Sequence, residues 1–161
     1  LTSVEILRFG DGSANLVAEN PVFRFYNSIS DTHFYTGSEA ERDGILATVA
    51  SFVYEGQNFA TSSSGETSAW RFYNTSTDSH FYTISIAERD WIIENLPTFN
   101  FEGEAYKARD TPADGFGPLY RFLNTQNGAH FFTASAVEAE LVEANIPYFN
   151  PEGVAYYVGL L

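Results

Sequence analysis

Residues Arg71–Thr83 read RFYNTSTDSHFYT, and the chain says nearly the same thing twice more: Arg24–Thr36 is RFYNSISDTHFYT and Arg121–Thr133 is RFLNTQNGAHFFT. All three histidines of the protein, His33, His80 and His130, hold the same place in these copies, at intervals of 47 and 50 residues. Each copy has two short aromatic-rich runs about a polar stretch of hairpin length, the signature of two paired strands. Self-similarity at a fixed period signals a fold assembled from repeated units.

Working outward from each hairpin, the sequence continues with SEAERDGILATV, SIAERDWIIENL or SAVEAELVEANI. Their apolar positions (Ile45, Leu46, Val49; Ile92, Ile93, Leu96) recur at helical spacing, and Pro97 and Pro147 help end two of the helices. A segment FVYEGQNF, FNFEGEAY or FNPEGVAY closes the copy. Its Gly56, Gly103 or Gly153 predicts a turn within one or two short strands returning to the sheet. The expected unit is therefore strand–strand–helix–strand, with blocks at 21–61, 69–108 and 118–158. One unit alone cannot bury both its helix stripe and its aromatic sheet face. The expectation is one α+β domain of three such units in a pseudo-threefold arrangement, with mainly antiparallel strands. Residues 1–20, with the strand-like VEILRF, are expected to close the ring.

Composition narrows the function classes. The chain has 161 residues, 44% hydrophobic and 17% aromatic, which fits a folded, strand-rich protein. Eight Lys+Arg against 21 Asp+Glu give a formal charge of −13, which opposes nucleic acid and anionic membranes as partners. No apolar run approaches the roughly 20 residues of a membrane-spanning helix. Cysteine is absent, so disulfides play no part, and methionine is absent too, as expected of a piece of a longer protein.

The pairing of RFYN with HFYT, followed by S-x-x-E and a closing EG, resembles a repeat family of unknown function. Its members occur in secreted and cell-surface proteins of bacteria and fungi, often beside hydrolase domains. The resemblance covers residues 21–158 and implies a secreted, extracellular accessory module attached to a larger protein. It carries over no ligand and no catalytic set.

Several shared positions are explained by the fold. Ser38 and Glu41, with Ser85/Glu88 and Ser135/Glu138, form S-x-x-E ahead of a helix, which predicts a capping box. Glu55 and its equivalents read as turn acids binding a local amide or the repeated Arg24, Arg71 and Arg121. Each of those arginines follows an aromatic, as a cation–ring brace would require.

Asn27, His33 and their equivalents remain. A simple hairpin register places Asn27 opposite His33 and Phe25 opposite Tyr35, all on one face, while a slip of one residue exchanges the faces. A ring beside an amide and an imidazole suits a sugar, with the ring on its C–H face and the polar groups on its hydroxyls. The candidate ligand-binding residues are Asn27, His33, Tyr35, Asn74, His80, Tyr82, Asn124 and His130, with Trp70 and Trp91 as exposed platforms. The competing reading ends the strand with an Asn-centred turn and uses His to tie hairpin to neighbour.

No G-x-S-x-G, HExxH, P-loop or EF-hand pattern is present, and no catalytic residues are assigned. No cofactor is expected. The weaker metal alternatives are calcium at GDGSAN (10–15) or RDTPADG (109–115), and zinc on three converging histidines. The leading expectation is a monomeric, non-catalytic module binding polysaccharide or oligosaccharide through up to three related sites. Its alternatives are a structural or protein-interaction module and, third, a small glycoside hydrolase.

Overall fold

The aromatic runs form strands and the S-x-x-E segments start helices, in the expected order three times over. The computed structural model describes residues 20–61 and 67–161. The first copy is β1 (Asn20–Asn27), β2 (Thr32–Thr36), α1 (Glu39–Thr48) and β3 (Phe52–Thr61). The second is β4 (Thr67–Asn74), β5 (Ser79–Thr83), α2 (Ile86–Asn95) and β6 (Phe99–Ala108). The third is β7 (Phe116–Asn124), β8 (His130–Thr133), α3 (Ala136–Asn145) and β9 (Phe149–Gly159). Every strand pairing among the described residues is antiparallel, and the protein is α+β. Among the described residues one sheet has six strands in the order β2-β1-β3-β9-β7-β8 and another three in the order β5-β4-β6. The expected closing segment at residues 1–20 lies outside the described residues, save Asn20. Among the described residues no helix is long and apolar enough to cross a membrane.

The hairpins take the slipped register. Tyr26, not Asn27, is opposite His33, and Arg24, not Phe25, is opposite Tyr35. The loop causes the slip. It holds four residues, Ser28–Asp31, and Asp31 sits at φ 55°, as does Asp78 at 49°, with Gly128 at 74° in the third copy. Asp31 N–H donates to the Asn27 carbonyl at 3.0 Å, closing the loop one residue tighter than a five-residue loop. His33 thus shares a face with Arg24, Tyr26 and Tyr35 rather than with Asn27 and Phe25.

The E-G pair is not a turn between two short strands. β3, β6 and β9 run unbroken for 10, 10 and 11 residues, and Gly56, Gly103 and Gly153 sit inside them at φ 93°, 92° and 84°. Arg24 pairs with Gly56 and Phe25 with Tyr54, so Glu55 is the extra residue of a β-bulge. Glycine tolerates that backbone, and the bulge swings the glutamate onto the arginine's face.

The capping box is half formed. The Ser38, Ser85 and Ser135 hydroxyls each accept the amide three residues on, at 3.1–3.2 Å. The serine's own amide donates instead to the preceding threonine, Thr36, Thr83 or Thr133, at 3.0 Å. The glutamate is thereby released for other contacts. The helices bury a narrow stripe, Ile92 in α2 and Ala139 and Val142 in α3, while Leu46 and Ile93 face outward.

Two levels of core result. Tyr35, Tyr82 and Phe132 meet edge-to-face at centroid distances of 5.5–5.9 Å, within a central cluster that includes Val22, Leu119 and Val158. Separate clusters lie beneath each helix: Phe25 and Phe34, Phe72 and Phe81, Phe122 and Phe131.

Candidate functional site

The slipped register aims the repeated polar residues at the next copy. Arg71 places its two terminal nitrogens 3.0 and 2.9 Å from the Glu41 oxygens of the first copy. Arg24 does the same to Glu138 of the third, at 2.8 and 2.9 Å. Both are forked, charge-assisted pairs of the strong kind. Within each copy the arginine Nε lies 2.6–2.7 Å from the bulge acid, Glu55, Glu102 or Glu152. The guanidinium also covers a ring of the neighbouring copy: Arg24 on Phe131, Arg71 on Phe34 and Arg121 on Phe81, at 5.5, 4.8 and 5.7 Å. The brace therefore grips a different ring from the aromatic that precedes it in sequence.

The histidines line the same seams. His33, His80 and His130 stand edge-on to Phe131, Phe34 and Phe81 at 4.8–4.9 Å. Their Nε2 atoms lie 3.4–3.5 Å from the bulge acids. Burial, then the adjacent guanidinium, lowers His33 and His80 to a pKa of about 4, so both are neutral at pH 7. Burial also lowers His130, opposed by Glu152. For Glu41 and Glu138, burial pushes the carboxyl up, but the arginine and threonine hydrogen bonds outweigh it and the net shift is downward.

Tyrosine hydroxyls add a third cross-link. Tyr82 Oη donates to the Tyr35 carbonyl and accepts the Tyr35 amide, both at 2.8 Å. Tyr35 Oη bridges the carbonyl and amide of Phe132 at 2.6 and 3.0 Å. Phe132 has no hydroxyl with which to continue toward the second copy.

The seam between the second and third copies is thus the odd one. By position Arg121 would fork onto Glu88, yet among the described residues its terminal nitrogens have no hydrogen-bond partner and Glu88 has no ion pair. Arg121 is correspondingly more exposed, 24% against 11% and 13% for Arg24 and Arg71. An open pocket of about 220 Å³ remains there, lined by Phe81, Glu88, Trp91, Leu96, Phe99, Arg121, His130 and Glu152. Glu88 and Trp91 are one helical turn apart and so share a face of α2. Trp91 is 56% exposed. The corresponding residues of the other helices are Gly44 and Leu141.

The expected surface of Asn, His and Tyr is not assembled. Tyr35 and Tyr82 are fully buried and held by backbone bonds. Asn27, Asn74 and Asn124 are buried and accept the amide two residues on, at 2.9–3.1 Å, forming Asn-centred turns. Trp70 is packed beneath α2 under the Arg89 guanidinium and is no platform. Only His130 and Trp91 of the predicted residues come together at an open site. Sequence reasoning missed Glu88, Arg121 and Glu152 there because each belongs to a triplet whose other members are consumed by the scaffold. The sequence signal that could have found this seam is Phe132, standing where the other copies have tyrosine. Among the described residues no group of three or more His, Asp or Glu is placed to hold a metal ion. The histidines face their own bulge acids rather than one another, so they form no three-histidine site.

A family model described as a domain of unknown function (DUF5648) matches residues 21–159. No curated protein and no solved structure matches the chain.

Proposed function

The chain belongs to this domain family of unknown function, and from the chemistry of the open seam we propose a non-catalytic carbohydrate-binding module of a secreted protein. The observation that carries the reading is the pocket left where Arg121 and Glu88 stay apart. It combines what a pyranose needs: an exposed indole for the C–H face, a carboxylate to accept hydroxyls and guanidinium N–H groups to donate to ring oxygens. Arg121, Glu88 and Glu152 together carry a net charge of −1, and the whole chain −13. That balance favours neutral or amine-bearing sugars over uronates and sulfated glycans.

The same reading replaces three equal sites by one. The three units are arranged about a pseudo-threefold axis, and this is supported by cross-links that run in one direction around them. The first two seams are closed by their own Arg–Glu forks, so only the third has groups to spare.

Affinity electrophoresis through gels of neutral polysaccharides and of chitosan tests the proposal. Retardation by at least one of them is expected, lost in Trp91→Ala with an unchanged melting temperature, because Trp91 is largely exposed. Migration unaffected by every gel would sink the sugar reading. It would favour the structural or protein-interaction module, for which the consumption of the repeated residues by the scaffold already speaks.

A further inference from the structure

The three copies differ at one more place, and there the protein itself shows which chemical group fits. In the first copy the Arg42 guanidinium lies 4.5 Å over the Phe23 ring, with its Nε 2.8 Å from Asp43. In the second, Arg89 lies 4.8 Å over Trp70 and 2.7 Å from Asp90. A cation is thus held between a ring on the first strand and an acid on the helix, twice. In the third copy the ring (Tyr120) and the acid (Glu140) are present, but Ala139 stands where the arginine should be. Pro151 replaces the bulkier Tyr54 and Phe101 that flank the ring in the other copies.

A cavity of about 290 Å³ opens at this position, lined by Tyr120, Ala139, Glu140, Glu143 and Pro151. Arg121 also borders it, but its guanidinium lies against Glu152 and Phe81, as Arg71 in the second copy lies against Glu102 and Phe34. The neighbouring arginine is therefore compatible with a second guanidinium, since Arg71 and Arg89 coexist.

We propose that the cavity between α3 and the Tyr120 ring is a binding site for a guanidinium-bearing ligand, occupying the position that Arg42 and Arg89 fill in the other copies. The ring face attracts the cation and Glu140 and Glu143 supply the countercharge. This inference does not rest on the sugar reading, because it uses a different cavity, sharing only the bordering Arg121, and its ligand-holding groups Tyr120, Glu140 and Glu143 take no part in the sugar site.

The test is NMR titration of the ¹⁵N-labelled chain with N-acetyl-arginine-methylamide, a monocation, and with the citrulline analogue of the same shape and no charge. Expected are saturable shifts at Tyr120 and α3 with the arginine probe and at least a fivefold weaker response to citrulline. Ala139→Arg should abolish the response by filling the site with its own side chain. Tyr120→Leu, which keeps an apolar floor without a π-face, should weaken it severalfold and covers the case in which Ala139→Arg fails to fold. A linear peptide containing one arginine distinguishes the sources: stronger binding than the monomeric probe assigns a partner's side chain, and equal binding a free small cation. Equal shifts from citrulline, or an undiminished response in Ala139→Arg and Tyr120→Leu, would overturn the proposal.

Discussion

Replacing Tyr82 by phenylalanine removes one oxygen atom from the centre of the molecule. Tyr82 is fully buried, and its hydroxyl both donates to the Tyr35 carbonyl and accepts the Tyr35 amide at 2.8 Å. The substitution leaves those two backbone groups without that partner and introduces no clash. A buried polar group stripped of its partner costs about 1–3 kcal/mol, so Tyr82→Phe, which strips two, should destabilise by about 2–6 kcal/mol. At a urea dependence of roughly 2 kcal/mol per molar, the unfolding midpoint falls by about 1–3 M. The reverse change, Phe132→Tyr, offers a hydroxyl to the second copy where none exists, and should gain about 1 kcal/mol. Equilibrium urea unfolding of the two variants and the parent measures both. A Tyr82→Phe midpoint within experimental scatter of the parent would refute the assignment of these hydroxyls as bridges between copies.

Acid should loosen the seams in two stages. His33 and His80 have folded pKa values near 4 against an ordinary value of 6.5. Their contribution is thus complete above pH 6.5 and is lost as pH falls toward 4, by up to about 3 kcal/mol each. Glu41 and Glu138, whose folded pKa values are depressed, hold their contribution to still lower pH. Melting temperature followed from pH 7 to 4 should fall steadily in the parent and less steeply in His33→Gln/His80→Gln; equal slopes would reject the assignment. Gly103→Ala probes the bulge alone, because a Cβ there meets no atom within 4 Å and only the φ of 92° resists it. A loss of about 1–2 kcal/mol is expected by thermal unfolding, and a neutral result would mean the bulge relaxes freely.

The order of elements was legible because three aligned copies average out the ambiguity of any one. The faces of the hairpin were not. Asp31 and Asp78 adopt a left-handed backbone that aspartate takes only by context, and that single residue of register moved His33 from the side of Asn27 to that of Arg24. The bulge was hidden for a similar reason, since Glu55-Gly56 has the composition of a turn and its role as an insertion depends on the partner strand. The S-x-x-E motif announced the helix starts correctly. It misdirected the glutamates, because Thr36, Thr83 and Thr133 took the amide they were expected to bind. Of the candidate site, Trp91 and His130 were visible, and what made their surroundings special was a bond that fails to form between Arg121 and Glu88.

The tyrosine hydroxyls also have a polarity with a consequence for assembly. Tyr82 reaches into the first copy and Tyr35 into the third, and Arg71 and Arg24 point the same way. The first copy therefore carries a giving edge (Arg24, Tyr35) and a receiving edge (Glu41 and the Tyr35 backbone) that are different surfaces. Such heterologous contacts build rings where the rotation between units closes, and open filaments where it does not, rather than face-to-face pairs. A polypeptide containing the first copy alone would hold both halves of every link. Its expected oligomer is a head-to-tail homotrimer, which sedimentation equilibrium would distinguish from monomer, dimer and open polymer.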